Sequence, residues 1–356
     1  MKKSSLLLFL TLSIIATHAQ LVVPRSSPFV KETHRIGITD ISIAYSSPKV
    51  AGRKIWGTLV PYQSDIPWRA GANESTVIEF TDDVVINGKP LAKGKYSLLI
   101  IPSEKAEWTI VLSSQANLWG GYYYKREEDA LRIQVKPIAT SFREYLSYEF
   151  SDKSTNSVTI ALEWEKLRIP FNVEIDVVNT TLANFRSELR GPKGNDAGSW
   201  ITAARFCLRH KTNYEEALTW ADRAIKGGYG GGFARRDFST LFLKAQILER
   251  LSRKDEARIA LAEAVTLIRT PGEYSDYGDY FMEQNQSGEA IKIYQTSVTK
   301  HPLYWLYAEY ANALLVNGEL DRAIEMASKA VDLAPPEYRP IHEDQLKTLQ
   351  SKKTKK

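Results

Sequence analysis

The chain has 356 residues, of which 43% are hydrophobic and 25% charged, with a formal net charge of +5 and one cysteine, Cys207. That length exceeds one ordinary core and implies roughly two domains, while a lone cysteine excludes an internal disulfide. Lys2 and Lys3 supply part of the positive surplus and Lys352, Lys353, Lys355 and Lys356 supply more, so the body between them is close to neutral and a nucleic-acid-binding balance is excluded.

Lys2 and Lys3 precede the apolar run Leu6 to Ile15, and Thr17-His18-Ala19 follows with small residues, the pattern of an export signal over residues 1–19 cut after Ala19. The apolar run is about 10 residues where a bilayer core needs roughly 20, and no other stretch approaches that length. The expectation is a periplasmic or secreted protein without stable membrane insertion, and no cysteine lies near the cut to carry a lipid.

From Ile38 to Val178 apolar residues alternate, or occur in short runs broken by Gly, Pro, Asn, Asp and Ser, which predicts strands and turns. Ile41, Ile43 and Tyr45 share one face, and Asn87-Gly88 marks a hairpin. Further alternating runs cover 108–112, 131–135, 145–150, 158–164 and 169–175. About eight to ten short strands with turns between them predict an antiparallel β-sandwich over 20–178.

The densest cluster of chemically capable side chains is Pro67-Trp68-Arg69-Ala70-Gly71-Ala72-Asn73-Glu74-Ser75-Thr76, just ahead of a predicted strand. Ser47-Pro48-Lys49, Gly52-Arg53 and Ile55-Trp56-Gly57 lie upstream, and Trp119-Gly120 and Asp129-Ala130-Leu131-Arg132 follow. With Gly94-Lys95-Tyr96-Ser97 and Ile101-Pro102 in the same order, residues 23–177 resemble the bacterial family called domain of unknown function 2911. The resemblance implies an exported β-rich domain, found chiefly in Bacteroidetes-like bacteria, and transfers no activity. Read by their chemistry, Arg53, Trp56, Trp68, Arg69, Asn73, Glu74 and Trp119 bring a planar donor, an amide, a carboxylate and indoles to a polar or glycan-like ligand. The competing expectation is architectural: Arg69 tying loop carbonyls, Glu74 pairing with Arg53, and Asn73 in a left-handed turn.

Residues 179–198 read as a linker, and helical spacing follows over 199–342. Ala217, Ala257, Ala290 and Ala323 recur at spacings of 40, 33 and 33 residues. Each is followed seven residues later by a small residue (Ala224, Ala264, Ser297, Ala330) and preceded nine residues earlier by a bulky one (Leu208, Leu248, Phe281, Leu314). That period belongs to stacked helix pairs, and the glycine run 227–232 accounts for the longer first spacing. Leu314, Gly318, Ala323, Ala330 and Pro335, with His301-Pro302 in the preceding unit, resemble the tetratricopeptide repeat, which implies a protein partner. Tyr277, Tyr307 and Tyr310 are candidate residues for that partner, although aromatic side chains at such spacing also fill repeat cores. The segment 343–356 reads as a charged tail that extends or caps the stack.

No cofactor or metal is expected: His34, His210, His301 and His342 are far apart and lack ligand spacing, and no Gly-x-Ser-x-Gly turn is present. The fold expected is therefore two-domain β plus α, a sandwich followed by tetratricopeptide-like repeats, and the function expected is an exported binding or scaffold protein. The alternative is an envelope hydrolase acting on glycan or peptide with Glu74 as acid or base.

Overall fold

The computed structural model describes residues 23–354, so the export signal read over 1–19 lies outside the described residues. It divides into two compact units, one ending at Ala183 and the other beginning at Asn184.

In the first unit the strands are β1 (Phe29–Ile36), β2 (Thr39–Ser46), β3 (Thr76–Phe80), β4 (Val84–Ile86), β5 (Lys89–Leu91), β6 (Gly94–Ile101), β7 (Trp108–Ser113), β8 (Asp129–Val135), β9 (Ile138–Ser151) and β10 (Ser157–Glu174). They form a sheet in the order β1-β2-β3-β6-β7-β8 and a second in the order β5-β4-β10-β9, with antiparallel neighbours throughout. Asn87-Gly88 turns β4 into the short strand β5, and the chain then crosses to the other sheet as β6. Alternation sets the faces: Ile41, Ile43, Ile78, Leu98 and Ile110 from one sheet share a core with Leu146, Tyr148, Ile160, Leu162, Phe171 and Val173 from the other. Each such side chain, fully buried, contributes about 1.5–3 kcal/mol relative to exposure.

One charge interrupts this interior. Glu163 in β10 is buried and ion-paired with Arg168 and, at 3.0 Å, with Arg143. The β9–β10 register slips on both sides of Glu165, whose φ is 56°, so the strand bulges just after Trp164. A bulge twists a strand locally and re-aims its side chains, and here it adjoins two consecutive buried residues, Glu163 and Trp164.

Residues 179–198 differ from the linker expected. Helix α1 (Val177–Glu188) occupies most of them, followed by a short 3-10 turn at Pro192–Asn195. The Asp176 carboxylate accepts from Asn179 N at 3.0 Å, capping the helix start, and Leu182 is fully buried. Such a cap and one apolar stripe are enough for a helix once tertiary packing is available.

The second unit continues with α2 (Ala197–Arg209), α3 (Tyr214–Lys226), α4 (Phe238–Arg250), α5 (Lys254–Thr266), α6 (Pro271–Glu283), α7 (Ser287–Lys300), α8 (Tyr304–Val316), α9 (Leu320–Leu333) and α10 (Arg339–Thr354). The four recurring alanines stand one each in α3, α5, α7 and α9, all buried, and the small residues seven positions on have no exposed surface. Side chains this small let the backbones of successive helices approach closely, as ridge-into-groove packing requires. The glycine run joins α3 to α4. The charged segment from Glu343 extends the stack: α10 continues to Thr354, buries Leu349 and pairs Lys353 with Asp321 at 2.6 Å. Leu346 and Leu349 supply the apolar stripe that its high charge conceals.

Tyr294 of α7 is 1% exposed, and its hydroxyl donates to Asp279 Oδ1 at 2.6 Å. Its ring lies over Gly278 of α6, where an added Cβ would come within 2.5 Å of Tyr294 Cζ. Replacing a mid-helix glycine by alanine ordinarily stabilises by about 0.5–1 kcal/mol. Here overpacking reverses the sign, and Gly278→Ala is expected to destabilise by about 1–2 kcal/mol net, read as a lowered midpoint in chemical denaturation; an unchanged or raised midpoint contradicts the close approach.

Candidate functional site

Four tryptophans from three parts of the β unit meet in its core. Trp56 stands edge-on to Trp68 at 5.8 Å, to Trp108 at 4.9 Å and to Trp164 at 5.9 Å, while Trp68 and Trp164 stack at 5.8 Å with an interplanar angle of 17°. Trp68 is placed by the sheet. Where β3 stops pairing, Trp68 N donates to Ile100 O and Ile100 N to Trp68 O, each at 2.8 Å. Trp108 satisfies its indole N–H on Ser103 O at 2.8 Å. The indole nitrogens of Trp56 and Trp164, though buried, have no hydrogen-bond partner among the described residues.

Beside this cluster a cleft of about 640 Å³ opens between loops 48–53, 59–72 and 121–122, with Trp164 in its wall. Lys49, Arg53 and Arg69 line it together with Trp68 and Tyr122, and none of its lining residues carries a carboxylate. Arg53 is held in place: its Nε donates to Val50 O at 3.1 Å and its Nη2 to Lys49 O. Lys49 lies 5.2 Å from the centre of the Tyr145 ring, and the phenol raises its pKa through a side-chain hydrogen bond. Arg69 differs. Its Nε is buried without a partner, and its side chain makes no hydrogen bond or ion pair with any described residue. Leaving a buried donor unmet costs about 1–3 kcal/mol, more for a charged group, unless water or a ligand meets it.

The other residues expected at a site are placed differently. Asn73, at φ 57°, donates to Ser46 Oγ at 3.1 Å and supports its own turn. Glu74 pairs with Arg25 at 2.8 Å, not with Arg53. A hydrogen bond from its own backbone N–H, aided by Arg25, lowers its carboxyl pKa, and it lies outside the cleft lining. A carboxylate held ionised in that way is unsuited to general acid work. Trp119 is 58% exposed and stands outside the lining, near the exposed rings of Tyr122 and Tyr123 in sequence. Trp56 is core, beneath the cleft instead of in it. Thus Arg53, Trp68 and Arg69 converge on one cavity, and the structure adds Trp164, Lys49 and Tyr122.

In the repeat unit, Tyr277 and Tyr310 are buried and Tyr307 packs half-buried against the core. Tyr277 sits 6.3 Å from both Phe238 and Phe242, and the Tyr310 hydroxyl accepts from Arg322 Nη2 at 2.8 Å. Tyr277 and Tyr310 are therefore repeat core, large rings filling the spaces beside the small ones, while Tyr307 stays partly exposed beside them. A cavity of about 440 Å³ on α2, α4 and α6 instead presents Arg205, Gln246, Asp276, Asp279 and Glu283. Among the described residues no group of His, Cys, Asp or Glu is disposed to hold a metal ion, and no helix is long and apolar enough to cross a membrane.

Comparison with known proteins follows the same division. Residues 27–173 match the family model described as protein of unknown function (DUF2911), and residues 238–271 and 276–338 match tetratricopeptide repeat models. The β unit is thus similar to an uncharacterised family, and the helices form a tetratricopeptide array to which α2 and α3 add a pair outside the matched stretches. No curated protein matches the chain. Among solved structures, the C-terminal part of a tetratricopeptide-repeat protein from Cytophaga hutchinsonii is 17% identical with a TM-score of 0.37, over 50% of this chain and 69% of its own. A thermophilic tetratricopeptide protein from Thermus thermophilus is 15% identical with a TM-score of 0.35, over 49% and 91%. YrrB, described as having an unusual peptide-binding site, is 18% identical with a TM-score of 0.32, over 48% and 84%.

Two outcomes follow from this geometry. At Gly121 an added Cβ would meet Pro67 O at 2.2 Å, so the 119–122 loop lies directly on the chain that carries Arg69. Gly121→Ala is expected to cost about 1–3 kcal/mol of stability and to alter the tryptophan fluorescence of the cleft; a variant matching the parent in both would show the two loops apart. In the array, burial raises the Glu309 carboxyl pKa from 4.5 to about 7, with Asp279 and Asp276 adding to the shift. A carboxyl with a raised folded pKa stabilises fully below its unfolded value, and that contribution is lost as pH rises through the folded value. Thermal melts should therefore show stability falling from about pH 4.5 to about pH 7 in the parent, with a flatter slope in Glu309→Gln.

Proposed function

We propose that this chain is an exported binding protein that joins a ligand-recognising β unit to a protein-binding helical array. The observation carrying the first half is the cleft beside Trp68 and Trp164, where a guanidinium and an indole offer buried N–H groups that no described residue meets. A cavity of this volume falls within the usual range for small-molecule sites, roughly 300–1,000 Å³. Its wall suits a small polar ligand with one apolar face, such as a sugar: Trp68 and Tyr122 supply ring surfaces, and the cationic side chains supply orientation. The tetratricopeptide matches support the second half, because stacked repeats bury only their neighbours and leave an extended surface for a protein partner. The Lys2–Ala19 pattern supports export to the periplasm or beyond, with Gln20 as the first mature residue.

The placement of Glu74, which belongs to the Arg25 ion pair and not to the cleft, supports recognition over turnover. The test is a panel of small glycans, esters and peptides applied to the mature protein, scored both for binding and for hydrolysis. Binding without product, weakened at least about tenfold by Arg69→Ala at unchanged melting temperature, is the expected result, since hydrogen bonds to charged groups contribute about 1.5–3 kcal/mol. Turnover that disappears in Glu74→Gln would reverse the assignment to a hydrolase.

A further inference from the structure

The polar groups of the cleft are not equally available. Arg53 is committed to two loop carbonyls, Lys49 lies against the Tyr145 ring, Ser64 Oγ accepts from Ile66 N, and Ala72 N donates to Ser46 O. Two buried donors of the lining have no partner among the described residues: Arg69 Nε and the indole N–H of Trp164, a side chain 1% exposed in the cavity wall. Both are donors, and one carries a permanent positive charge that no lining carboxylate offsets. A buried guanidinium nitrogen facing neither acceptor nor counter-charge is costly, and an incoming anion removes that cost.

The number and kind of donors narrow the anion. Phosphate sites ordinarily use a run of backbone N–H groups at a helix N-terminus or a glycine-rich nest. No residue of a helix lines this cleft, and the backbone N–H of Ala72 is already spent. A planar fork donor and a second N–H match the two oxygens of a carboxylate.

We propose that the cleft binds a small organic carboxylate, with the carboxylate group held by Arg69 and the Trp164 indole N–H and the ring or hydrocarbon portion lying against Trp68 and Tyr122. This assignment rests on the binding role given to the cleft above and specifies its ligand class. Lys49 and Arg53, although engaged, keep the rim positive and draw anions toward it, so binding weakens as ionic strength rises. Two sources share this chemistry, an acidic sugar and a free amino-acid carboxylate.

The test is calorimetric titration of the full mature chain with glucuronate and N-acetylphenylalanine. The controls are glucuronamide, N-acetylphenylalanine amide, glucose and inorganic phosphate. The expected result is saturable binding of at least one carboxylate, at least about tenfold tighter than its own amide, and weakened to a similar degree in Arg69→Gln. Trp164→Phe, which keeps the ring packing and removes the N–H, is expected to weaken binding severalfold; because Trp164 is buried, Arg69→Gln decides the matter if that variant unfolds. Preference for glucuronate identifies the acidic sugar as source and preference for N-acetylphenylalanine the amino-acid carboxylate, either one supporting the assignment. Glucose binding as tightly as glucuronate would keep the cleft as a ligand site and overturn the carboxylate. Arg69-dependent binding of phosphate alone would overturn it in favour of another anion. Failure of every compound to bind would overturn the carboxylate and the cleft's binding role together.

Discussion

Aromatic packing around Trp56 is the constraint on which the β unit depends. Edge-on contacts to three other indoles fix the start of β7, the middle of β10 and the Trp68 segment relative to one another, and such ring pairs add about 0.5–1.5 kcal/mol each beyond their buried area. The same packing creates the polar problem at the cleft. Trp108 finds a carbonyl for its N–H, but Trp56 and Trp164 are held where no described residue reaches theirs. Loops 48–53, 59–72 and 121–122 then border a cavity whose wall Trp68, Arg69 and Trp164 share. Rigid core and open cleft are thus two sides of one cluster, an arrangement in which the scaffold would order the groups of the proposed site before a ligand arrives.

The helical array follows a different rule. Its recurrent alanines, Ser297 and Gly278 create close approaches that large rings such as Tyr294 and Tyr277 then fill. Each pair is completed by the next, and α10 covers the last with Leu346 and Leu349. Tetratricopeptide repeats of this kind make the second unit a protein-interaction scaffold.

Much of this was legible in the amino-acid order, for identifiable reasons. The alternation of Ile41, Ile43 and Tyr45 fixed an inward face because the side-chain period of a strand is two, and the four spaced alanines exposed the repeat because close helix crossings tolerate little else there. Arg53, Trp68 and Arg69 stood out as polar and aromatic residues concentrated in loops, and the cleft contains all three. Trp164 did not, since a tryptophan inside a strand pattern reads as core; its place in the cavity wall depends on loops distant from it in sequence. The partner of Glu74 was equally hidden, because Arg25 lies 49 residues away and outside any motif. Helix α1 escaped for a related reason: its polar Asn and Thr residues hide a short apolar stripe whose value appears only on packing. Two of the three candidate partner tyrosines, Tyr277 and Tyr310, are interior, because helical spacing alone does not tell a groove from a core.

The central claim is that the β unit holds an unmet indole donor in reserve for a ligand. Nitrogen-15 correlated spectra of the indole N–H groups, assigned by Trp164→Phe and Trp56→Phe, test it directly in the full mature chain. During titration with a cleft ligand the Trp164 resonance should move saturably to lower field as its N–H gains an acceptor, while that of Trp108, already bonded to Ser103 O, stays in place. A Trp164 resonance unmoved at saturation would contradict the account.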